Sequence, residues 1–274
     1  KNIFYLNIMI IKSKYNFLKP YKVKKLIRLG RNFDGGYLIC SDALKYCENL
    51  ITLGVGDDIS FEKDFDKKVK PKKIFLYDYT VNHWLFLMII LKYFRRLITF
   101  RTRINNFLFS IKNYSNYIKF TNQQNVSLFK LRVVKKIKKN FDINMNRIFK
   151  KIDSKKNILK IDIEGGEYEI IDEIIKYNSK INILIIEFHW INKRPKLFIE
   201  SVKKLKKKFD IIHLHANNYR PLDKNEDIFD VCEITLTNKN INKYKNRYRL
   251  NFPIKNLDHE CFPSHKKISF SFKD

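Results

Sequence analysis

The stretch NILKIDIEGGEYEIIDEIIKYNSKINILIIEFHW, Asn157–Trp190, decides the fold, because it holds two buried-strand patterns whose apolar runs both stop at acidic residues. Ile158, Leu159 and Ile161 lead into Asp162. A helical pattern then opens at Gly165-Gly166, with Tyr168, Ile171, Ile174 and Ile175 on one face, and a second apolar run, Ile181 to Ile186, ends at Glu187 and His189. The order is strand, helix, parallel strand. In an open α/β sheet the ligand crevice lies at the carboxyl ends of the strands, so Asp162, Glu164, Glu187 and His189 are expected on one rim. The competing explanation for Glu164 and Glu167 is that acidic side chains at the start of a helix complement its dipole. It is weaker for Asp162, which follows an apolar run directly.

Upstream, a strand ending near Leu53 meets Gly54-Val55-Gly56 and then a helix with Phe61, Phe65 and Val69 at spacing four. Two glycines let the backbone turn tightly and approach a ligand, and the helix start offers free amides. The full dinucleotide fingerprint is absent, since Ile59 stands where its third glycine would be. The next strand, KKIFLYDYTV, ends at Asp78, 22 residues past Gly56. An acid at that place can accept hydrogen bonds from both hydroxyls of a ribose; its plain alternative is a cap on the following turn.

Further from the centre, two short strands around Asn32-Phe33-Asp34-Gly35-Gly36 predict a hairpin, which as a bare turn needs no function. His83–Arg96 predicts a largely buried helix whose stripe of Trp84, Leu87, Met88 and Leu91 is core. Leu97 to Ser154 should hold the third strand and a basic helix. Arg194-Pro195 opens a helix to about Lys208 with Leu197, Phe198, Val202 and Leu205 inward. FDIIHLHANNY and DVCEITLT predict a sixth and a seventh strand, too close for a helical crossover and so antiparallel; the tail CFPSHKKISFSF adds an edge segment. His213 and His215 share a strand face and could reach a ligand or, with a carboxylate, a metal. No third ligand is evident, so no metal site is assigned.

At 274 residues and 45% hydrophobic content the chain fits one large α/β domain, 49–274, behind an N-terminal extension, 1–48, that carries the hairpin. The formal charge of +28 would suggest a polyanion partner. The excess is Lys spread along the chain, however. Even the densest region, Lys130 to Lys156 with eleven basic and two acidic residues, reads better as a solvated helix face than as a nucleic-acid groove. Affinity for anionic surfaces stays open. Cys40, Cys47, Cys232 and Cys261 are scattered without a CxxC pair, which fits neither a zinc site nor a disulfide framework and suits a reducing cytoplasm. The longest apolar run, Trp84 to Leu91, is too short to span a bilayer, and the first residues do not read as a signal peptide, so a cytoplasmic protein is expected.

Taken together, RLGRNFDGGYLI, ITLGVGDDISFE, LYDYTV, LKIDIEGGEYEI, IIEFH and the final IIHLHANNY with CEITL resemble the S-adenosylmethionine-dependent methyltransferases of the FkbM type, over roughly Leu26 to Thr237. The resemblance implies a Rossmann-like seven-stranded sheet, parallel except for its last strand, with helices on both faces. It also implies that Gly54, Val55 and Gly56 lie along the methionine and ribose of S-adenosyl-L-methionine, that Asp78 holds the ribose, and that Asp162 faces the sulfonium. Family members commonly act on saccharide or secondary-metabolite hydroxyls, which makes a sugar or other small molecule the implied acceptor. The extended basic region before Asn157 departs from many relatives.

Methyl transfer is an in-line displacement, so the protein must align an acceptor, exclude water and take a proton. His189 is the first candidate base, since an unperturbed imidazole titrates near neutrality. Glu187 is second, as base or as orienter of the histidine, and Glu164 third; a merely structural His189 is the plain alternative. Three classes compete: a small-molecule or sugar O-methyltransferase, an RNA or protein methyltransferase favoured only by charge, and a dinucleotide oxidoreductase, against which the missing third glycine argues.

Overall fold

A computed structural model describes residues 8–222, 226–241 and 247–273. Its centre is a seven-stranded sheet of β1 (Asn49–Leu53), β2 (Lys73–Tyr77), β3 (Val126–Phe129), β4 (Asn157–Ile161), β5 (Ile181–Phe188), β6 (Phe209–Ala216) and β7 (Cys232–Asn238). The spatial order is β6-β7-β5-β4-β1-β2-β3. Every pairing is parallel except those of β7, which runs against both β5 and β6, as the short connection between the last two strands requires. Helices α1 (Ser60–Val69), α2 (His83–Ile98), α3 (Ile104–Thr121), α4 (Met145–Lys150), α5 (Ile171–Lys176) and α6 (Pro195–Leu205) complete the α/β architecture.

Alternate residues of the central strands feed two separate cores. Leu50, Ile158, Ile183 and Ile185 point to one, with Phe61 and Phe65 of α1 and Tyr117 and Phe120 of α3. Ile51, Leu159, Leu184 and Ile186 point to the other, with α4, α5 and α6. Both faces are therefore apolar, which is why these strands read as continuous hydrophobic runs. The predicted hairpin forms, Leu26–Leu29 against Tyr37–Cys40, and its Leu29, Tyr37 and Ile39 pack into the first of these cores.

Four expectations are corrected. The α2 stripe is not core: Trp84 is 72% and Met88 63% exposed, and of this helix only Phe86 is buried, against Tyr114 and Tyr117 of α3. Apolar periodicity announced an apolar face without saying that anything would cover it. The basic helix expected ahead of Asn157 exists as α4, with Arg147 and Lys150, but it covers only Met145–Lys150; the rest of the basic region is largely loop, with Arg132–Val133 pairing with Asp142–Ile143, and does not form the solvated helix face expected of it. Leu197 is exposed while Phe198, Val202 and Leu205 are buried. The tail strand Phe270–Phe272 joins not the main sheet but a three-stranded one with Met9–Ile11 and Asn251–Phe252. All four cysteines are free and buried. Among the described residues, no helix is long and apolar enough to cross a membrane.

Candidate active site

Strand register brings the sequence-chosen residues into one row. Leu53 of β1 pairs with Tyr77 of β2 and with Ile161 of β4, and Ile161 pairs with Ile186 of β5. The next residue on each strand is then Gly54, Asp78, Asp162 or Glu187. Backbone bonds continue the ladder past the ends: Asp162 N donates to Leu53 O (2.8 Å), Gly54 N to Tyr77 O (2.9 Å) and Asp78 N to Phe129 O (3.0 Å). The strand order reverses between β1 and β4, so the row crosses the switch point where ligands bind in open α/β sheets. A cleft of about 270 Å³ opens there, lined by Gly54, Asp78, Tyr79, Asp162, Glu164 and the apolar Leu131 and Val133.

Gly54 makes this close approach possible. Its φ is +78°, and a Cβ on it would stand 1.6 Å from the carbonyl oxygen of Asp162. Asp78 is more tightly engaged than its expected ribose role suggests. One carboxylate oxygen accepts from the amides of Val55 (2.9 Å) and Gly56 (3.0 Å), the other from the amide and hydroxyl of Thr80 (both 2.7 Å). These bonds outweigh burial and hold its carboxyl below the usual range. Asp78 thus braces the glycine loop, and it caps the following turn as well.

On the other side of the switch point, His189 gathers carboxylates. Its Nδ1 lies 3.1 Å from Glu167 Oε1, while Nε2 faces Glu164 at 3.6 Å and both Asp162 and Glu187 at 3.8 Å. Glu167 is fully buried and joins the exits of β4 and β5: it accepts from the amide of Gly165 (2.7 Å) and that of His189 (2.7 Å). When the ring is neutral, a carboxylate on Nδ1 holds its proton there and leaves Nε2 facing Asp162, Glu164 and Glu187. Tyr168 donates to the carbonyl of His189 (2.7 Å) and fixes the same segment. Glu164 sits in the left-handed region (φ +52°) with an exposed side chain at the cleft mouth, while Phe188 packs into the core.

Burial raises the Asp162 carboxyl to about 6, with Glu164 and Asp34 adding to the rise and Lys160 and His189 opposing it. Glu187 is pushed well above the ordinary value by burial and by the charges of Asp162, Glu233 and Asp34. Burial disfavours the charged imidazole of His189, but the Glu167 hydrogen bond and the charges of Glu167, Asp162 and Glu164 prevail, so its pKa is raised. An anionic rim of this kind favours a cation. Ligand atoms of Asp162, Glu164 and His189, and separately of Asp34, Glu187 and Glu233, lie within 4.8 Å of one another. Glu187 also accepts from Asn217 (3.0 Å).

His213 and His215 are buried away from the cleft. Both approach Asp258, at 3.0 and 3.4 Å, and this pair of contacts holds Asp258 far below the ordinary carboxylate range despite its burial. The arrangement clamps β6 to the C-terminal segment.

Residues 30–221 match the model of the Methyltransferase FkbM domain. The chain belongs to the FkbM methyltransferase family. No curated protein matches the sequence. Among solved structures, the precorrin-6y C5,15-methyltransferase of Geobacter metallireducens GS-15 is 12% identical with TM-score 0.36, covering 72% of this chain and 86% of that one. Spermidine synthase of Thermotoga maritima is 10% identical with TM-score 0.44, over 73% of this chain and 57% of that one. A human methyltransferase 10 domain containing protein is 8% identical with TM-score 0.37, over 70% and 72%.

In this FkbM methyltransferase, three groups at the site escaped the sequence reading. Glu167 looked like a first-turn acid. Asp34 belonged to what read as a bare turn, yet its carboxylate reaches the Glu187–Glu233 pair. Lys160, inside an apolar strand, is 3% exposed and pairs with the buried Glu62 at 3.3 Å. A lysine within a buried-strand run was the one available signal, because it demands a buried partner.

Proposed function

We propose that this chain transfers the methyl group of S-adenosyl-L-methionine to a hydroxyl of a saccharide or other small acceptor. The observation that carries the reading is the single row in which Gly54, Asp78 and Asp162 line one cleft, with the buried His189 behind Asp162 at 3.8 Å and Glu187 at the same distance from its ring. The residues present suit the cofactor: Leu131 and Val133 offer an apolar wall for adenine, the glycine loop lets a ligand approach the backbone, and Asp162 is an anion for a sulfonium. Asp78 serves the ribose either directly or by holding the Val55 and Gly56 amides in place.

The cofactor supplies an electrophilic methyl group. The protein's part is to accept the hydroxyl proton as the acceptor oxygen takes the methyl, and to leave the sulfur with the electron pair of the broken bond. In this reading His189 accepts that proton through Nε2, with Glu167 orienting the ring in the way a buried carboxylate orients a catalytic histidine. Glu187 and Glu164 remain alternative acceptors of the proton. Mass spectrometry of candidate saccharides incubated with the chain and labelled methyl donor tests the acceptor. A mass gain of one methyl on a hydroxyl supports the reading; transfer only to RNA or protein contradicts it. The RNA alternative draws on the basic loop beside the cleft, where Arg132 lines the wall and Lys135, Lys136 and Lys138 follow. Salt-sensitive RNA binding at physiological ionic strength would promote it.

A further inference from the structure

The proposed chemistry leaves the α2–α3 hairpin without a role, and its surface is unlike that of a solvated helix pair. Met88, Leu91 and Ile98 on α2 and Ile104, Leu108 and Ile111 on α3 are all exposed, and Phe100 between the helices is 96% exposed. Among the described residues nothing covers them. Isolated apolar side chains on a surface need no explanation, but a continuous set at helical spacing on two paired helices does.

The charges carried by the hairpin itself all have one sign. No Asp or Glu occurs between Asp78 and Asp142, and residues 83–121 carry seven Lys or Arg, with Arg95, Arg96, Arg101 and Arg103 grouped at the tip. A second copy of the same face would bring these cations together, which disfavours self-association. The exposed set mixes the aliphatic side chains with the rings of Trp84, Phe94, Phe100 and Phe109, a composition that suits the boundary between lipid headgroups and hydrocarbon, where aromatic rings settle at headgroup level. The helices have 16 and 18 residues, about 24 and 27 Å long, and are interrupted by cations, so they suit lying in a headgroup region rather than spanning it.

We propose that the α2–α3 hairpin docks the protein on an anionic lipid bilayer, with its apolar side chains entering the headgroup boundary and its arginines meeting lipid phosphates. The hairpin stands next to the cleft mouth. Asn113 donates to the carbonyl of Asp57 beside the glycine loop (3.0 Å), and Tyr114 meets His83 (2.7 Å), five residues past Asp78. From that level α3 continues one way into the core through Tyr117 and Phe120, and the opposite way to the exposed tip. Docking would therefore set the cleft close to the membrane surface, where an acceptor carried on a lipid is presented. The docking itself does not depend on the methyl-transfer reading.

Flotation of the full chain with vesicles of phosphatidylcholine, alone or mixed with phosphatidylserine, tests this. The wild-type chain should float with the mixed vesicles. Ile98→Ser/Phe100→Ser/Leu108→Ser keeps every charge and should lower the partition coefficient by roughly tenfold or more, while Lys207→Gln/Lys208→Gln, away from the hairpin, should leave it nearly unchanged. A melting curve like that of the wild type shows that the triple variant is folded; should it not fold, Arg95→Gln/Arg96→Gln/Arg101→Gln/Arg103→Gln must weaken flotation instead. Absence of wild-type flotation, or equal flotation of both hairpin variants and wild type, would overturn the proposal. So would a concentration-dependent dimer, or an RNA complex, that those variants abolish while flotation persists.

Discussion

Glu167 shows how one residue sets the character of this site. Its carboxylate raises His189 by hydrogen bond and charge against the opposing effect of burial, so Glu167→Gln should bring the imidazole pKa down, measurable by NMR titration of the ring protons. An unchanged value would remove Glu167 from its orienting role. His189→Ala should abolish turnover while leaving cofactor affinity intact; in wild type, turnover should rise with pH through a range above that of an ordinary imidazole, since the raised imidazole must lose its proton to act. Asp162 makes a separate prediction. With its carboxyl raised to about 6, it is anionic above that pH and neutral below. Affinity for the cationic S-adenosylmethionine should fall as pH drops through this range, and affinity for neutral-sulfur S-adenosylhomocysteine should fall less. Parallel pH series by calorimetry check this, and identical slopes would mean that Asp162 does not face the sulfonium.

At the scale of elements, β4 and α1 are joined by a buried ion pair inside the sheet's core. Lys160 and Glu62 meet at 3.3 Å, Thr52 donates to the same glutamate oxygen at 3.0 Å, and Lys160 lies over the rings of Tyr37 and Phe61. Burial lowers the lysine pKa, but Glu62 and Asp162 outweigh it and keep the group charged. Lys160→Ala should cost about 3–5 kcal/mol by stranding a buried carboxylate, read by urea denaturation, whereas Lys160→Met/Glu62→Leu should recover most of that loss. A small effect in the single variant would refute the pairing. How legible such elements were depends on what their sequence signals encode. Strand-end acids at Asp78, Asp162 and Glu187 were legible because an apolar run fixes both the strand and its tip. Glu167 was not, since spacing alone cannot distinguish a dipole-complementing acid from one folded back under two loops. The α2 stripe misled because periodicity reports a face and not its partner. Leu97 to Ser154 was obscure because its strand has only four residues, Val126–Phe129, and the segments around it are an exposed hairpin and a loop.

For the molecule as a whole, the family resemblance implied the seven-stranded sheet with one reversed strand, the short connection between the last two strands agreed with it, and the expected rim followed from the carboxyl ends of the strands; the switch in strand order is what the structure adds. What could not be read was how the flanking segments close on that sheet. The hairpin that brings Asp34 beneath the rim and the C-terminal segment that brings Asp258 to His213 and His215 are contacts between distant parts of the chain, which no local pattern announces. The account rests on the cleft between Gly54, Asp78 and Asp162 being a site for the adenosyl group. Calorimetric titration of S-adenosylhomocysteine into the wild-type chain and into Asp78→Ala is the most direct measurement of that claim. One ligand should bind per wild-type chain, at least about tenfold more weakly in the variant, and NAD should give no heat; a folded wild-type chain that binds none, or a variant that binds equally well, would contradict it.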